Sequence, residues 1–175
     1  ILSLQEIQDD DGATISGVLT SDLTLTTLVN AIKAAGGPTY TYAYVAPSAS
    51  NINGGQPNAN IRNAFLYQAD LVTLESYALL DPTNAAFASS RKPLVGNFSY
   101  NGVKFTVIDL HLNSKGGDDA LFGDIQPPVL ASETQRNQQA AVVNAYVDSL
   151  LAGDPNARIA VMGDINDFTL SLIHI

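Results

Sequence analysis

The chain has 175 residues, of which 46% are hydrophobic and 14% are charged. This composition is sufficient for one compact domain with a core and argues against disorder. The sequence has no uninterrupted apolar run as long as a membrane helix, so we expect no membrane association. Cysteine is absent, which excludes disulfides and thiolate metal sites. The net charge of −9 argues against a broad basic surface for nucleic acid, but it permits an enzyme that grips one phosphate with a metal and a few basic side chains.

Apolar periodicity and turn residues predict a mixed α and β chain with no internal repeat. Asn101 and Gly102 form the two-residue turn of a predicted hairpin, because both turn positions favour residues that tolerate a positive φ. Ser132 and Gln135 begin a capping-box pattern at the start of a long helix. The predicted strands cover 1–8, 39–45, 61–67, 70–75, 93–100, 103–112 and 158–162; the predicted helices cover 21–35 and 132–151; and the predicted loops include 46–60, 79–92 and 113–131.

A carboxylate follows the first apolar strand, in the string Leu4-Gln5-Glu6. Glu6 is well placed to meet a divalent ion, because Mg²⁺ prefers oxygen ligands and often takes only one or two protein carboxylates. Taken alone, a Glu at a strand end is more often a solvated residue at the rim of the strand.

A second polar group ends the predicted hairpin. Strand alternation places Asp109 and His111 on one face, beside a loop that contains Lys115 and two glycines. An imidazole and an ammonium near flexible backbone N–H groups can hold a phosphate oxygen. The alternative is a histidine that closes the strand through a hydrogen bond to a carbonyl.

A third polar group follows the last predicted strand. Asp164 and Asn166 are two residues apart and point the same way in extended backbone. A carboxylate can orient water and an amide can hold a phosphate, whereas the alternative is an Asx turn that closes the strand.

Basic residues at other strand starts have weaker signals. Arg91 and Arg62 are phosphate-binding candidates, although an arginine at such a position, taken alone, is more often a surface salt-bridge partner. Arg136 is predicted to be a solvated side chain in the first turn of the second helix. The run of aspartates from Asp9 to Asp11 lacks the ligand spacing of a calcium loop and is interpreted as a turn.

The motifs LQE, RKPL, LHLNSKGG and GDINDF occur in an order that resembles the endonuclease/exonuclease/phosphatase superfamily over residues 1–168. The strings LQEIQDDDG, NIRNAFLY, RKPLVGNFSYNG, SKGGDDALFGDIQPPV and SETQRNQQA are similar to large bacterial extracellular nucleases. The resemblance implies an α/β (α+β) fold, part of the four-layer α/β/β/α sandwich of the deoxyribonucleases.

The resemblance also implies roles for individual residues. Glu6 would bind the catalytic metal, and Asp164 and Asn166 would position the attacking water and the phosphate. His111 would contact the scissile phosphate, and Arg91 would lie near the DNA backbone. Arg62 and Lys115 complete the substrate-binding candidates.

The sequence departs from the family pattern in three places. Ile61 stands where the pancreatic-type enzymes carry a second catalytic Glu. The N-terminal strand with the family's Asn is missing, and so is the C-terminal Asp-His pair that supplies the general base. We therefore expect residues 1–169 to be an incomplete domain that does not cleave nucleic acid by itself. Residues 170–175 resemble a translated sequencing adaptor and are expected to be non-native, which leaves His174 without a role.

The expected activity of the parent protein is metal-dependent hydrolysis of phosphodiester bonds in DNA, and in RNA as a second substrate. Mg²⁺ is the expected cofactor, with Mn²⁺ or Ca²⁺ as alternatives, and the expected protein is a secreted monomer. Two other functions stay open at this point: a phosphatase or phospholipase of the same superfamily, and a secreted binding module without catalysis.

Overall fold

The computed structural model describes residues 1–167. The described chain contains seven strands, two α-helices and one short 3-10 helix. The elements in chain order are β1 (Leu2–Ile7), α1 (Asp22–Ala34), β2 (Thr41–Tyr44), β3 (Arg62–Tyr67), β4 (Thr73–Leu79), a short 3-10 helix (Ala85–Phe87), β5 (Leu94–Tyr100), β6 (Val103–His111), α2 (Glu133–Gly153) and β7 (Ile159–Asp164).

The strands form two sheets. The first has the order β1-β3-β2 and is antiparallel throughout. The second has the order β4-β5-β6-β7, in which β7 runs parallel to β6 after the crossover through α2. Because parallel strands end at the same edge of a sheet, the last residues of β6 and β7, His111 and Asp164, are paired neighbours.

Side-chain alternation in the central strand β3 binds three layers together. Ala64 and Leu66 pack under α1 with the fully buried Leu25. Phe65, between them in sequence, points to the opposite face and packs against Phe98 of the second sheet. The first sheet is therefore covered by α1 on one face and by the second sheet on the other.

The second sheet is covered in the same way. Ile108 and Leu110 of β6 pack against α2 through Val143, whereas Val107 faces the first sheet. The result is a four-layer α/β/β/α arrangement, which confirms the predicted fold class. None of the helices within residues 1–167 is long and apolar enough to cross a membrane.

Some element boundaries differ from the sequence-based predictions. β4 begins at Thr73 rather than Asp70, because the N–H groups of Leu71 and Val72 both donate to the carbonyl of Gln68 and extend the turn. The predicted loop 79–92 contains the 3-10 helix, which the side chain of Asn84 caps. The Asn101–Gly102 turn is confirmed, with φ values of 48° and 78°.

The start of α2 corrects two predictions. Ser132 makes no side-chain capping bond to the helix; its hydroxyl donates to Asp118 at 2.6 Å instead. Arg136, predicted to be solvated, is fully buried and contacts Ser132, Asp118 and Asp167. The loop before α2 and the segment after β7 are thus joined through one guanidinium group.

Candidate active site at the strand ends

A polar cavity of about 330 Å³ opens where β1, β6 and β7 end. Residues from several separate segments line it, and five of the nine lie at or just after the end of β1, β6 or β7. They are Glu6, Gln8, Gly55, Gln56, Ile61, Arg91, His111, Ser114 and Asn166. The structure therefore brings together side chains that the sequence predicts at three different strand ends.

Glu6 owes its direction to an irregularity in β1. In the pairing with β3, three steps along β1 from Leu4 to Ile7 match only two steps along β3, which defines a β-bulge. Glu6 lies inside this bulge with a φ of 57°. Its side chain is 71% exposed, and its Oε1 lies 3.9 Å from His111 Nε2. The bulge thus turns a carboxylate toward the cavity.

His111 forms the buried floor of the cavity and is only 4% exposed. Its Nε2 lies 3.9 Å from Glu6 and also 3.9 Å from Asp164 Oδ2, so the two carboxylate oxygens lie no more than twice that distance apart. Burial lowers the pKa of His111 to about 4, with Arg91 adding to the decrease and Asp164 opposing it. The imidazole is therefore neutral near pH 7 and a weak proton acceptor.

Asp164 and Asn166 form the turn that the sequence left as an alternative. The Asn166 N–H donates to Asp164 Oδ1 at 2.8 Å, and Asn166 has a φ of 54°. This Asx turn leaves Asp164 Oδ2 directed toward His111 and brings Asn166 to the cavity wall. The structural and the functional interpretation of this motif are thus compatible.

Gly163 makes the approach of β7 to β6 possible. Its φ is 128°, and a Cβ at this position would lie 2.1 Å from the carbonyl oxygen of Leu110. A side chain there would push Asp164 away from His111. The glycine of the GDIND motif is therefore required by backbone contact.

Arg91 is buried at the cavity, with 3% of its surface exposed. Its guanidinium donates to the carbonyl oxygen of Leu112, which also accepts from Asn166 Nδ2 at 3.1 Å. Burial lowers the pKa of Arg91, while Glu6 and Asp164 oppose that shift. One carbonyl thus orients a cation and an amide at the same wall, which suits a phosphate group.

The other two predicted substrate-binding residues are placed differently. Arg62 does not line the cavity: its buried guanidinium donates to the carbonyls of Leu19 and Asn60 and lies 5.4 Å from the ring centre of Tyr44. These contacts hold the loop after β1 in place, and the assignment of Arg62 to the substrate stays a prediction. Lys115 is partly buried and follows Ser114, which does line the cavity.

A buried polar group that the sequence did not predict lies behind the cavity. The side chain of Gln5 donates to Asp109 Oδ1 at 2.5 Å, and Asn63 donates to the Asp109 carbonyl at 2.8 Å. The alternation along β6 correctly predicts that Asp109 lies on the same face as His111. It also led us to expect a polar group that emerges at the strand end, and this part is wrong. The structure shows Asp109 fully buried between the sheets.

The residues of the cavity fit a hydrated divalent cation better than a cage of protein ligands. Within residues 1–167 there is no cluster of three or more His, Cys, Asp or Glu side chains that could hold a metal ion. Glu6 and Asp164 nevertheless offer exposed carboxylate oxygens on either side of His111. This donor set suits Mg²⁺, which keeps several waters and takes one or two carboxylates. Ile61, which is apolar and lines the cavity, offers no further ligand.

The chain belongs to the endonuclease/exonuclease/phosphatase family, whose model matches residues 2–171. This confirms the family that the motifs indicated and makes the protein a member of a family of phosphoester hydrolases. The suspected boundary after residue 169 and the tail that contains His174 lie outside the described residues. No curated protein sequence matches the chain.

Solved structures with the same fold include four that have low sequence identity to this chain. The truncated TDP2 of Caenorhabditis elegans has a TM-score of 0.58 and 18% identity over 95% of this chain and 49% of its own. The D. rerio TDP2, complexed with single-strand DNA product, has a TM-score of 0.51 and 12% identity over 95% of this chain and 47% of its own.

The other two have slightly higher TM-scores. The human Nocturnin catalytic domain with bound sulfate anion has a TM-score of 0.59 and 14% identity over 99% of this chain and 53% of its own. ANGEL2, described as a 2',3'-cyclic phosphatase, also has a TM-score of 0.59, with 16% identity over 99% of this chain and 41% of its own. The chain thus spans about half the length of these structures or less.

Proposed function

We propose that the protein to which this chain belongs hydrolyses phosphodiester bonds with the help of a divalent cation. The observation that carries the proposal is the meeting of Glu6, His111 and Asp164 around one point, beside the buried Arg91. Membership in the family supports the reaction class.

The described side chains divide the chemistry among them. Arg91 holds a phosphate oxygen from the cavity wall, and neutral His111 donates a hydrogen bond to the same group from the floor. Asp164 and Asn166 orient the attacking water. The Asx turn between them fixes the directions of the two side chains. We assign His111 to the phosphate rather than to proton removal, because its pKa of about 4 makes it a weak base at neutral pH.

Glu6, with Asp164 beside it, would hold the divalent cation. When bound, this ion supplies positive charge that stabilises the phosphate as it gains a fifth oxygen. Mg²⁺ is our proposed cofactor, and Mn²⁺ or Ca²⁺ are alternatives.

We propose nucleic acid, with DNA first and RNA second, as the substrate. The cavity presents Arg91, His111 and the amide of Asn166, which suit a phosphate group and do not read the edge of a base. Recognition is therefore led by the sugar–phosphate backbone of the nucleic acid and depends weakly on its sequence. D. rerio TDP2, which has the same fold, has been solved with a single-strand DNA product, and this supports nucleic acid as the substrate class. The similarity of the motifs to bacterial extracellular nucleases supports a secreted monomer.

A phosphatase is the second candidate, because ANGEL2 shares the fold and is described as a 2',3'-cyclic phosphatase. A single cavity that binds one phosphate does not by itself separate the two substrates.

The test is a substrate panel with the purified full-length protein and its Glu6→Gln variant. We expect plasmid DNA and a bis-aryl phosphodiester to be hydrolysed in Mg²⁺, and a phosphomonoester to be hydrolysed at least 100-fold more slowly. Chelation of the metal and Glu6→Gln should each abolish the reaction. Turnover that persists in excess chelator would contradict the proposal, and preference for a phosphomonoester or 2',3'-cyclic phosphate would favour the second candidate.

A further inference from the structure

The direction of Glu6 depends on its backbone, since its side chain is mostly exposed. The φ of 57° costs free energy in a residue other than glycine, so the surrounding structure must hold the bulge in place. The residue next to Glu6 provides such a hold.

Gln5 reaches across the gap between the sheets. Its amide donates to Asp109 Oδ1 at 2.5 Å, and 104 residues of sequence separate the two. Asp109 lies in the second half of β6, two residues before His111, which ends the strand, and on the same face. One hydrogen bond therefore joins the bulge that carries Glu6 to the strand that carries His111.

Asp109 destabilises the fold relative to an apolar residue at the same buried position. It is 0% exposed, and its Oδ2 has no hydrogen-bond partner among residues 1–167. Burying a carboxyl group with one unsatisfied oxygen costs free energy that an apolar side chain would avoid. Burial raises the pKa of Asp109 to about 8, opposed by the bond from Gln5, so the group keeps its proton at neutral pH. Such a cost in a core is expected where function requires it.

We propose that Asp109 and Gln5 are positioning residues that hold the bulge of β1 and thereby aim Glu6 at the cation beside His111. The proposal rests on the proposed function, because it assumes that Glu6 binds a divalent ion. It assigns no contact with substrate to either residue.

A merely structural role predicts a different result. If the pair only stabilised the sheets, its removal would lower the melting temperature and leave the folded protein with its metal affinity. If the pair aims Glu6, folded variants should bind the metal more weakly. Residues that orient a metal ligand typically change affinity or activity by about 10- to 100-fold.

The experiment uses the full-length protein with Gln5→Met, Asp109→Ala, the double variant and Asp109→Asn, which keeps an oxygen that accepts from Gln5. Thr106→Val is the matched control, because it removes a hydrogen bond of 2.8 Å from Thr106, in the first half of β6, to Asn97 of β5. The readouts are the Mn²⁺ dissociation constant by calorimetry, kcat and KM for a phosphodiester, and the melting temperature. Gln5→Met carries the test if Asp109→Ala fails to fold, because Gln5 is only partly buried.

We expect Gln5→Met and Asp109→Ala each to weaken Mn²⁺ binding about 10-fold or more and to lower kcat with little change in KM. The double variant should bind Mn²⁺ no more weakly than the more impaired of the two single variants. The Mn²⁺ dissociation constant and kcat of Asp109→Asn should stay within about threefold of the wild-type values. Metal affinity in Gln5→Met equal to that of Thr106→Val, or Asp109→Asn as impaired as Asp109→Ala, would overturn the proposal while leaving the proposed function intact. A wild-type protein that binds no Mn²⁺ and hydrolyses no phosphodiester would overturn both.

Discussion

Asp109 couples the stability of the fold to pH. Its pKa is raised from 3.8 to about 8, mainly by burial, so between these values the folded state keeps a proton that the unfolded chain has released. The free energy of unfolding therefore falls as pH rises from about 4 to about 8, and this contribution is constant above that window. Since one pKa unit corresponds to about 1.4 kcal/mol, the effect amounts to a few kcal/mol.

Urea unfolding of the wild type and Asp109→Asn at several pH values measures this contribution. Asparagine carries no proton to lose, so the variant should gain stability over the wild type as pH rises toward 8. His111, whose lowered pKa acts in the opposite direction at lower pH, is present in both proteins and cancels in the difference. Asp70→Asn, at an exposed carboxylate, is the control. A stability difference that does not change with pH would show that Asp109 is ionised in the fold.

The contact that we propose between Arg91 and a phosphate of the substrate can be tested through the salt dependence of binding. Arg91→Gln in the full-length protein should raise KM for DNA about tenfold and reduce the salt dependence of binding by about one counterion, because one phosphate contact is lost. Arg158→Gln, at an exposed arginine beyond the other end of the sheet, removes the same charge and should change neither. Because Arg91 is buried, melting temperatures must first show that the variant is folded. An unchanged salt dependence would remove Arg91 from the site.

Single residues differ in how far the sequence predicts them. Glu6, His111, Asp164 and Arg91 follow or precede recognisable strands, so their convergence could be anticipated from strand ends alone, although their roles stay predictions. The direction of Arg62 could not, because it depends on the carbonyl of Leu19, 43 residues earlier in the chain. The same holds for Gln5 and Asp109, whose contact joins different sheets.

At the scale of elements, Gly163 tests whether the pairing of β6 and β7 sets the site. Gly163→Ala should destabilise the protein by well over 1 kcal/mol, because its Cβ would meet the Leu110 carbonyl at 2.1 Å. Gly102→Ala is a matched control, since Gly102 has a φ of 78° but no neighbour within 4 Å of the added Cβ. Its cost should be about 1 kcal/mol, from the backbone conformation alone. Equal melting temperatures for the two variants would show that β7 can shift without penalty.

Elements with strong periodicity were predicted well, and their ends were not. The hairpin of β5 and β6 follows from alternation and the Asn-Gly turn. The capping of α2 does not, because the Ser132 side chain bonds to the side chains of Asp118 and the buried Arg136 instead of to a backbone N–H group of the helix. A capping pattern in sequence gives no information about a competing carboxylate that the loop brings alongside.

For the whole molecule, the order of layers could be derived from the motifs, since the resemblance covered nearly the entire described chain. Register, the bulge at Glu6 and the buried polar group between the sheets required the structure. The expectation that residues 1–169 form an incomplete, inactive domain and that the parent protein is secreted stays a prediction. Comparing plasmid cleavage by this chain and by the full-length protein tests the first part.

The central claim is that Glu6 and Asp164 act in one metal-dependent site around His111. The most direct measurement is kcat/KM for a phosphodiester in the full-length protein with Glu6→Gln, Asp164→Asn and both together, beside Glu75→Gln as an exposed carboxylate of the other sheet edge. Each single variant should lose at least about 100-fold, and the double variant should lose no more than the worse single variant, because residues that act as a unit are not additive. A double variant whose loss equals the product of the two single losses, or single variants that match Glu75→Gln, would contradict the account.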